Sequence, residues 1–195
     1  MLTAAQRFRN ILAGDKCTPA APIFDPLSAR IADMLGWEVC KLSGSVGKFA
    51  NLALPDEIPL SNMSDLVDVC WRIKRVADVC LIADADDGGG SALNVMRTVR
   101  ELEAAGVSAI EIEDNLVPSR FADVMPDDAR EETFSVHPSR HALIVSKDEQ
   151  VGKLKAAVAA RRNPDTIIVA RTSALAELPR EEALERIRAY STTGA

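Results

Sequence analysis

The sequence lacks several features that would place it in a membrane, secreted or nucleic-acid-binding class. Its fully apolar runs last only a few residues, too short for a transmembrane helix. The amphipathic stretch Met1–Lys16 lacks the apolar core of a secretory signal. The formal net charge of −6 disfavours nucleic acid and anionic membranes as partners. We therefore expect a cytoplasmic protein with a small-molecule partner.

Cysteine is scarce, and no C-x-x-C pair occurs. The four cysteines are Cys17, Cys40, Cys70 and Cys80. Cys40 and Cys80 lie within apolar, strand-like runs. This pattern predicts buried, reduced thiols rather than metal ligands or nucleophiles.

Short apolar runs alternate with longer helical patterns along the chain. The predicted strands are Ala21–Phe24, Trp37–Leu42, Val79–Asp84, Val107–Asp114 and Asp165–Arg171. Among the helices, Asp25–Gly36 presents an apolar face, and the S-x-x-E sequence at Ser146–Glu149 begins another. Residues 43–47 are predicted to form a loop. The alternation predicts an α/β protein with a parallel sheet, in one domain over residues 1–195.

Two ways of closing such a sheet are open. A five-stranded doubly wound sheet would be complete with these elements, and periodicity alone slightly favours it. A (β/α)8 barrel takes roughly 250 residues, so it would lack three units. The segment Asn115–Val145 shows little periodicity, and a loop of that length is usually functional or mobile.

Polar residues follow the predicted strands at their carboxyl ends, where parallel α/β folds bind ligands. Asp84 ends the third strand, and Asp86 can face the same way if the chain stays extended. Glu113 ends the fourth strand and Arg171 the fifth. The second strand leads into Ser43–Ser45, whose backbone N–H groups and hydroxyls suit an anion.

This set of groups suits a hard cation and an organic acid. Carboxylate oxygens without a nearby histidine or thiol favour Mg²⁺ or Mn²⁺ over zinc. Arg171 would clamp a substrate carboxylate, and a metal that chelates a 2-oxo acid can stabilise an enolate. Two alternatives remain: a solvated acidic turn, and a receiver-like phosphoacceptor pocket that also uses Mg²⁺.

Three segments carry a resemblance to a known family. They are "DADDGGGSALNVMRTVRELEAAGVSAIEIED", "FDPLSARIADMLGWEVCKLSGS" and "VARTSALAELPREEALERIRAYSTTGA". Together they resemble the isocitrate lyase/phosphoenolpyruvate mutase superfamily, over about Arg7–Ala195. The stretches "ALNVMRTVRELEAAG" and "EDNLVPSRF" resemble its oxaloacetate decarboxylase-like branch.

The resemblance implies a (β/α)8 TIM-type barrel with a Mg²⁺ or Mn²⁺ site. Asp84 would bind the metal directly. The other metal-site residues, some acting through water, would be Asp86, Glu113 and Asp56 of "LPDE". The residues that bind the substrate carboxylate would be Ser43, Gly44, Ser45 and Arg171.

The implied activity is that of a carbon–carbon lyase acting on a small 2-oxo dicarboxylate through an enolate, most similar to oxaloacetate decarboxylase. Phosphonomutase or phosphonate hydrolase activity is an alternative within the superfamily. A catalytically inactive metal-binding fragment is a further alternative, because the family pattern continues beyond "YSTTGA" with three more strands. We therefore expect a C-terminally truncated barrel of about five βα units. In its full-length form we expect a homo-oligomer.

Several positions depart from the family pattern. Segment Asn115–Val145 contains no cysteine, unlike the K-K-C-G-H loop of the lyases, and does not match the lysine- and asparagine-bearing loop of the mutases. His137 and His141, within it, are expected to be solvated. Asp87 would add negative charge beside the cation, and Gly89 replaces an aromatic residue.

Overall fold

The computed structural model describes residues 2–53, 62–115 and 144–195. The strands are β1 (Ala21–Ile23), β2 (Val39–Leu42), β3 (Cys80–Asp84), β4 (Ala109–Glu113) and β5 (Ile167–Arg171). The helices are α1 (Ala4–Leu12), α2 (Pro26–Met34), α3 (Gly44–Leu52), α4 (Met63–Lys74), α5 (Ala92–Ala104), α6 (Lys147–Ala160), α7 (Ala174–Glu177) and α8 (Arg180–Ser191). Within the described ranges, no helix has the length and apolar composition needed to cross a membrane.

The five strands form one parallel sheet in the order β1-β2-β3-β4-β5. A doubly wound sheet requires a reversal of strand order, and this sheet has none. Right-handed connections between successive neighbours place their helices on a single face. The architecture is therefore that of a (β/α)8 barrel, of which five βα units are present here. The doubly wound alternative is wrong.

One face of the sheet packs against the helices and forms the main hydrophobic core. Its fully buried side chains include Leu42 on β2, Leu81 on β3, and Ile110 and Ile112 on β4. Helix α5 contributes Val95, Val99 and Leu102 to this core. Because these side chains alternate with those of the opposite face, strand register determines which residues line the barrel interior.

The interior face changes from apolar to charged along the strands. At its amino end, Phe8 of α1 packs against Val39, Cys80 and Ala109. Toward the carboxyl end, the same face carries the charged side chains Lys41, Asp84, Glu111, Glu113 and Arg171. Helix α1 thus covers one end of the interior, and the polar groups collect at the other.

Local sequence signals specify several helix starts. Asp25 Oδ1 accepts a hydrogen bond from Ser28 N at 2.7 Å, with Pro26 as the first residue of α2. Ser146 Oγ accepts one from Glu149 N at 3.2 Å, as the S-x-x-E pattern predicts.

The apolar stripe of α2 does not face the sheet. Between 49 and 75% of the surface of each residue in this stripe is exposed to solvent. These residues are Leu27, Ile31, Met34 and Leu35. Ala29 and Ala32 are the buried residues of this helix. The helix contacts the core through these small residues, so the apolar pattern identified the helix but not its buried face.

The predicted loop at residues 43–47 is also wrong, because α3 begins at Gly44. Gly44 and Gly47 fall within its first turn, and glycine costs about 1 kcal/mol relative to alanine inside a helix. Because the two glycines lower the local helix propensity, the sequence predicts a loop at a place where tertiary packing supports a helix.

Three of the four thiols are buried in the described structure. Cys40, Cys70 and Cys80 are at most 1% exposed, whereas Cys17 is exposed. Burial raises the pKa of Cys40 to about 11 and that of Cys70 to about 12. Burial also raises the pKa of Cys80, whose Sγ donates to Ala4 O at 3.3 Å.

We therefore expect one thiol per chain, Cys17, to react rapidly with Ellman's reagent in the native protein. Reagent access and thiolate formation are both suppressed at the three buried thiols. All four should react after denaturation in guanidinium chloride. Cys17→Ser should abolish the fast phase, and a fast phase that survives this substitution would contradict the assignment.

Candidate functional site

Arg171 joins three carboxylates at the carboxyl ends of the strands. Its Nη1 lies 3.1 Å from Asp84 Oδ2 and 3.1 Å from Glu111 Oε1. Its Nε lies 3.1 Å from Glu113 Oε1. The ends of β3, β4 and β5 therefore meet at one guanidinium, which bridges side chains up to 87 positions apart in sequence.

The charges at this junction influence one another. Partial burial lowers the pKa of Arg171, but the negative charges of Glu113, Asp84 and Glu111 outweigh it, and the net effect is a raised pKa. Burial raises the pKa of Glu113 above its ordinary value, and the neighbouring Asp84 and Asp114 raise it further. Arg171 and a hydrogen bond from Ser173 offset part of that increase. The net effect is a raised pKa for Glu113, and desolvation is its largest cause.

Asp86 reaches this site by a turn rather than by an extended chain. Its φ is 48°, in the left-handed region that non-glycine residues seldom occupy. Hydrogen bonds to β4 hold the turn: Ala85 N donates to Glu111 O at 3.0 Å, and Glu113 N donates to Asp86 O at 2.7 Å. The chain thus does not stay extended after Asp84, yet both carboxylates lie on the same rim.

The amino end of α3 lies against these two aspartates. Gly44 N is 3.4 Å from Asp84 Oδ2. A Cβ atom at Gly44 would lie 3.3 Å from Asp84 Oδ2 and 3.3 Å from Asp86 Oδ1. Ser43 Oγ and Ser45 Oγ are 3.2 Å apart beside it. The three residues predicted to bind an anion thus form a helix start in contact with the predicted metal ligands.

Two lysines among the described residues also contact the acidic rim, and sequence reasoning missed both. Lys41 Nζ lies 2.7 and 2.9 Å from the two oxygens of Glu111. Lys48 Nζ lies 3.2 Å from Asp86 Oδ2. Lys41 was detectable from strand alternation, since it shares a face with Val39. Lys48 was not, because its position depends on the unpredicted helix α3.

A second group of hydrogen bonds supports the strand ends from behind. Ser173 Oγ donates to Glu113 Oε1 at 2.8 Å. The fully buried Asp114 accepts from Thr172 Oγ1 at 2.7 Å and from Tyr190 Oη at 2.9 Å. Burial, followed by the bond to Asp114, raises the pKa of Tyr190 to about 12. Helix α8 is thereby tied to the end of β4 through Tyr190.

Asp87 organises the glycine turn and also lines the cavity beside Asp84 and Asp86. Its Oδ1 accepts from Gly89 N at 2.8 Å, and its charge acts on the buried Lys153 of α6. Gly88 has a φ of 80°, and an added Cβ would lie only 2.7 Å from Val95 Cγ2. The turn therefore requires glycine, for both conformation and space.

A cavity of about 580 Å³ adjoins the site, between the end of β3 and helices α3 and α4. Its walls include Asp84, Asp86 and Lys48 on the polar side, and Leu66 and Val69 on the apolar side. Its volume lies within the range of about 300–1,000 Å³ that small-molecule sites occupy.

The donor set fits a hydrated hard cation. Asp84, Asp86 and Glu113 supply carboxylate oxygens. Because Gly44 has no Cβ, the space beside the carboxylates of Asp84 and Asp86 stays open. Over residues 2–53, 62–115 and 144–195, no three His, Cys, Asp or Glu side chains converge as a ready-made metal cluster. Mg²⁺ retains several waters and needs only one or two direct carboxylates. Asp56, like His137 and His141, lies outside the described residues.

The chain is similar to several known proteins. A curated relative, oxaloacetate decarboxylase of Pseudomonas fluorescens (strain SBW25), is 46% identical over 188 residues, covering 96% of this chain and 59% of the relative. A solved structure of phosphonopyruvate hydrolase, complexed with oxalate and Mg²⁺, has a TM-score of 0.81 and 32% identity, covering 100% of this chain and 61% of that one. Oxaloacetate acetylhydrolase in complex with 3,3-difluorooxalacetate has a TM-score of 0.84 and 29% identity, covering 99% and 61%.

The chain thus spans about three fifths of the length of the proteins it matches. The sequence profile described as phosphoenolpyruvate phosphomutase matches residues 8–195, nearly the whole chain. Together with the parallel barrel architecture, this match shows that the chain belongs to the phosphoenolpyruvate mutase family of the isocitrate lyase/phosphoenolpyruvate mutase superfamily.

Proposed function

We propose that this chain carries the site of a Mg²⁺-dependent carbon–carbon lyase that acts on a small 2-oxo dicarboxylate, with oxaloacetate as substrate and pyruvate and CO2 as products. The observation that carries the proposal is the meeting of Asp84, Glu113 and Arg171 with the start of α3. Similarity to an oxaloacetate decarboxylase over 96% of the chain supports the choice of substrate.

The site has unbalanced charge that a cation would offset. In the described part of the chain, the carboxylates of Asp84, Asp86, Glu111 and Glu113 contact the cations of Lys41, Lys48 and Arg171. We propose that Asp84 holds Mg²⁺ directly and that Asp86 and Glu113 orient its waters, with Asp56 joining them. When bound, Mg²⁺ supplies a Lewis acid that polarises the 2-oxo group and stabilises the enolate that loss of CO2 leaves.

The chain's own groups would orient the substrate. The N–H groups at the start of α3 and the hydroxyls of Ser43 and Ser45 suit a carboxylate, because a helix amino end carries partial positive charge. Arg171 presents a delocalised cation whose N–H donors match a carboxylate in shape. In the described structure these donors bind protein carboxylates, so Arg171 would release part of that contact when substrate enters. A proton from solvent completes pyruvate.

The first test is pyruvate release from oxaloacetate, followed by a coupled assay with Mg²⁺ and corrected with a protein-free blank. We expect Asp84→Ala to lower kcat/KM by about 100-fold or more, because it removes the proposed direct ligand. The control Glu101→Ala alters an exposed acid on α5 and should retain the parent rate. Absence of Mg²⁺-dependent activity in the parent chain, or full activity in Asp84→Ala, would refute the proposal.

A matched pair of glycine substitutions tests whether activity requires the open space between Gly44 and the carboxylates of Asp84 and Asp86. Gly44→Ala should lower activity on the order of tenfold or more, because its Cβ crowds Asp84 Oδ2 and Asp86 Oδ1 and small displacements of catalytic groups are costly. An added Cβ at Gly47, in the same helix, meets only Leu42 Cδ1 at 3.7 Å among the described residues, so Gly47→Ala should be tolerated. Steady-state kinetics and circular dichroism of both variants provide the comparison. Equal losses in the two would mean that disruption of α3, not crowding of the site, is responsible.

Phosphonate chemistry is the second candidate function. It is favoured by the family profile and by the 32% identity to phosphonopyruvate hydrolase. Phosphorus NMR distinguishes the candidates, since a mutase would convert phosphonopyruvate to phosphoenolpyruvate and a hydrolase would release phosphate. We expect the phosphonopyruvate signal to persist in a sample that releases pyruvate from oxaloacetate. Its conversion would replace the lyase proposal with the phosphonate one.

A further inference from the structure

Lys48 is a buried cation that points at the acidic rim. It lies four residues after Gly44 on α3, so the two residues share one helical face, and long side chains on a helix lean toward its amino end. Lys48 is only 9% exposed. Its Nζ lies 3.2 Å from Asp86 Oδ2 and 3.5 Å from Asp86 Oδ1. One face of α3 therefore contacts Asp84 through a backbone N–H and Asp86 through an ammonium group.

Asp86 is held in place by more than this ion pair. Its left-handed backbone is bound to β4 through Glu113 N, and its own N–H donates to Asp84 Oδ1 at 3.3 Å. These contacts fix the backbone of Asp86 beside Asp84 independently of Lys48. We therefore expect removal of the Lys48 charge to leave the Asp86 backbone in place.

Both oxygens of Asp86 lie within 3.5 Å of the Lys48 ammonium. A divalent cation that uses Asp86, directly or through water, must share those oxygens with a buried positive charge. Burial of Lys48 strengthens this competition, although the side chain of Asp86 is 37% exposed and solvent therefore screens the pair in part. Lys41 provides a contrast: it brings the same charge to the same interior, but its Nζ contacts Glu111.

We propose that Lys48 is a resident counter-ion of Asp86 that competes with the divalent cation and thereby sets the cation affinity of the site. The proposal rests on the proposed function, specifically on its metal site. It assigns Lys48 a tuning role. With the lysine present, the negative charge of the rim is partly compensated when no metal is bound, and metal binding is weaker than the carboxylates alone would allow.

The test is a direct Mn²⁺ titration, followed by electron paramagnetic resonance of the free ion, at fixed pH and ionic strength. We expect Lys48→Met to tighten Mn²⁺ binding on the order of tenfold, the scale of effects from groups behind a metal ligand. Lys48→Arg keeps the charge and should bind within about twofold of the parent. Lys41→Met should have a smaller effect than Lys48→Met. If Lys48→Met does not fold, as judged by circular dichroism, Lys48→Gln removes the same charge.

A double-mutant cycle shows whether the effect passes through Asp86. In an Asp86→Asn background, Lys48→Met should change Mn²⁺ affinity by less than about twofold, because the shared carboxylate is gone. Unchanged or weaker Mn²⁺ binding by Lys48→Met, or an undiminished effect in the Asp86→Asn background, would overturn the inference.

The parent chain and Asp84→Ala separate this inference from the proposed function. If the parent binds one Mn²⁺ and Asp84→Ala does not, the metal site stands, and the Lys48 result is decided independently. If the parent binds no Mn²⁺, the metal site and the role of Lys48 both fail.

Discussion

Repulsion among carboxylates at the carboxyl ends of β3 and β4 is the constraint on which this site depends. Two like charges about 4 Å apart repel by about 1 kcal/mol in water and about 4 kcal/mol at an effective dielectric constant of 20. Gathering such groups on one rim therefore requires compensation. Arg171 provides it by contacting Asp84, Glu111 and Glu113, and its own position follows from the pairing of Glu113 with Arg171 across β4 and β5.

The same compensation links the fold to the proposed chemistry. Lysines from β2 and α3 pair with Glu111 and Asp86, so cations reach the rim from three elements. The remaining negative charge and the oxygen donors suit a hydrated divalent cation, which would then attract an anionic substrate. Behind the rim, the buried Asp114 joins Thr172 and Tyr190 to the end of β4. Two of these supporting residues, Asp114 and Thr172, directly follow Glu113 and Arg171 in the sequence, whereas Tyr190 comes from helix α8.

Sequence patterns predicted the strands well, because each is a short apolar run followed by a polar residue at its carboxyl end. Glu113 and Arg171 could be placed at strand ends for that reason. The patterns failed where local and tertiary preferences conflict. Gly44 and Gly47 weaken the helical signal of α3, and the apolar stripe of α2 lies on its exposed face. Asp86 reached the rim through a left-handed turn that alternation along an extended strand could not predict.

The sequence by itself determined the alternation of strands and helices, the chemical type of the site and, by resemblance, the family. These properties depend on residue types and spacings that are local to each segment. Periodicity left the choice between a barrel and a doubly wound sheet open, the resemblance implied the barrel, and the strand order in the tertiary structure confirmed it. Only the tertiary structure placed Arg171 among three carboxylates and Lys48 beside Asp86. These contacts join residues that are 38 to 87 positions apart in the sequence. The register of hydrogen bonds between strands and the packing of helices on the sheet determine such pairings, and no single segment encodes either of them.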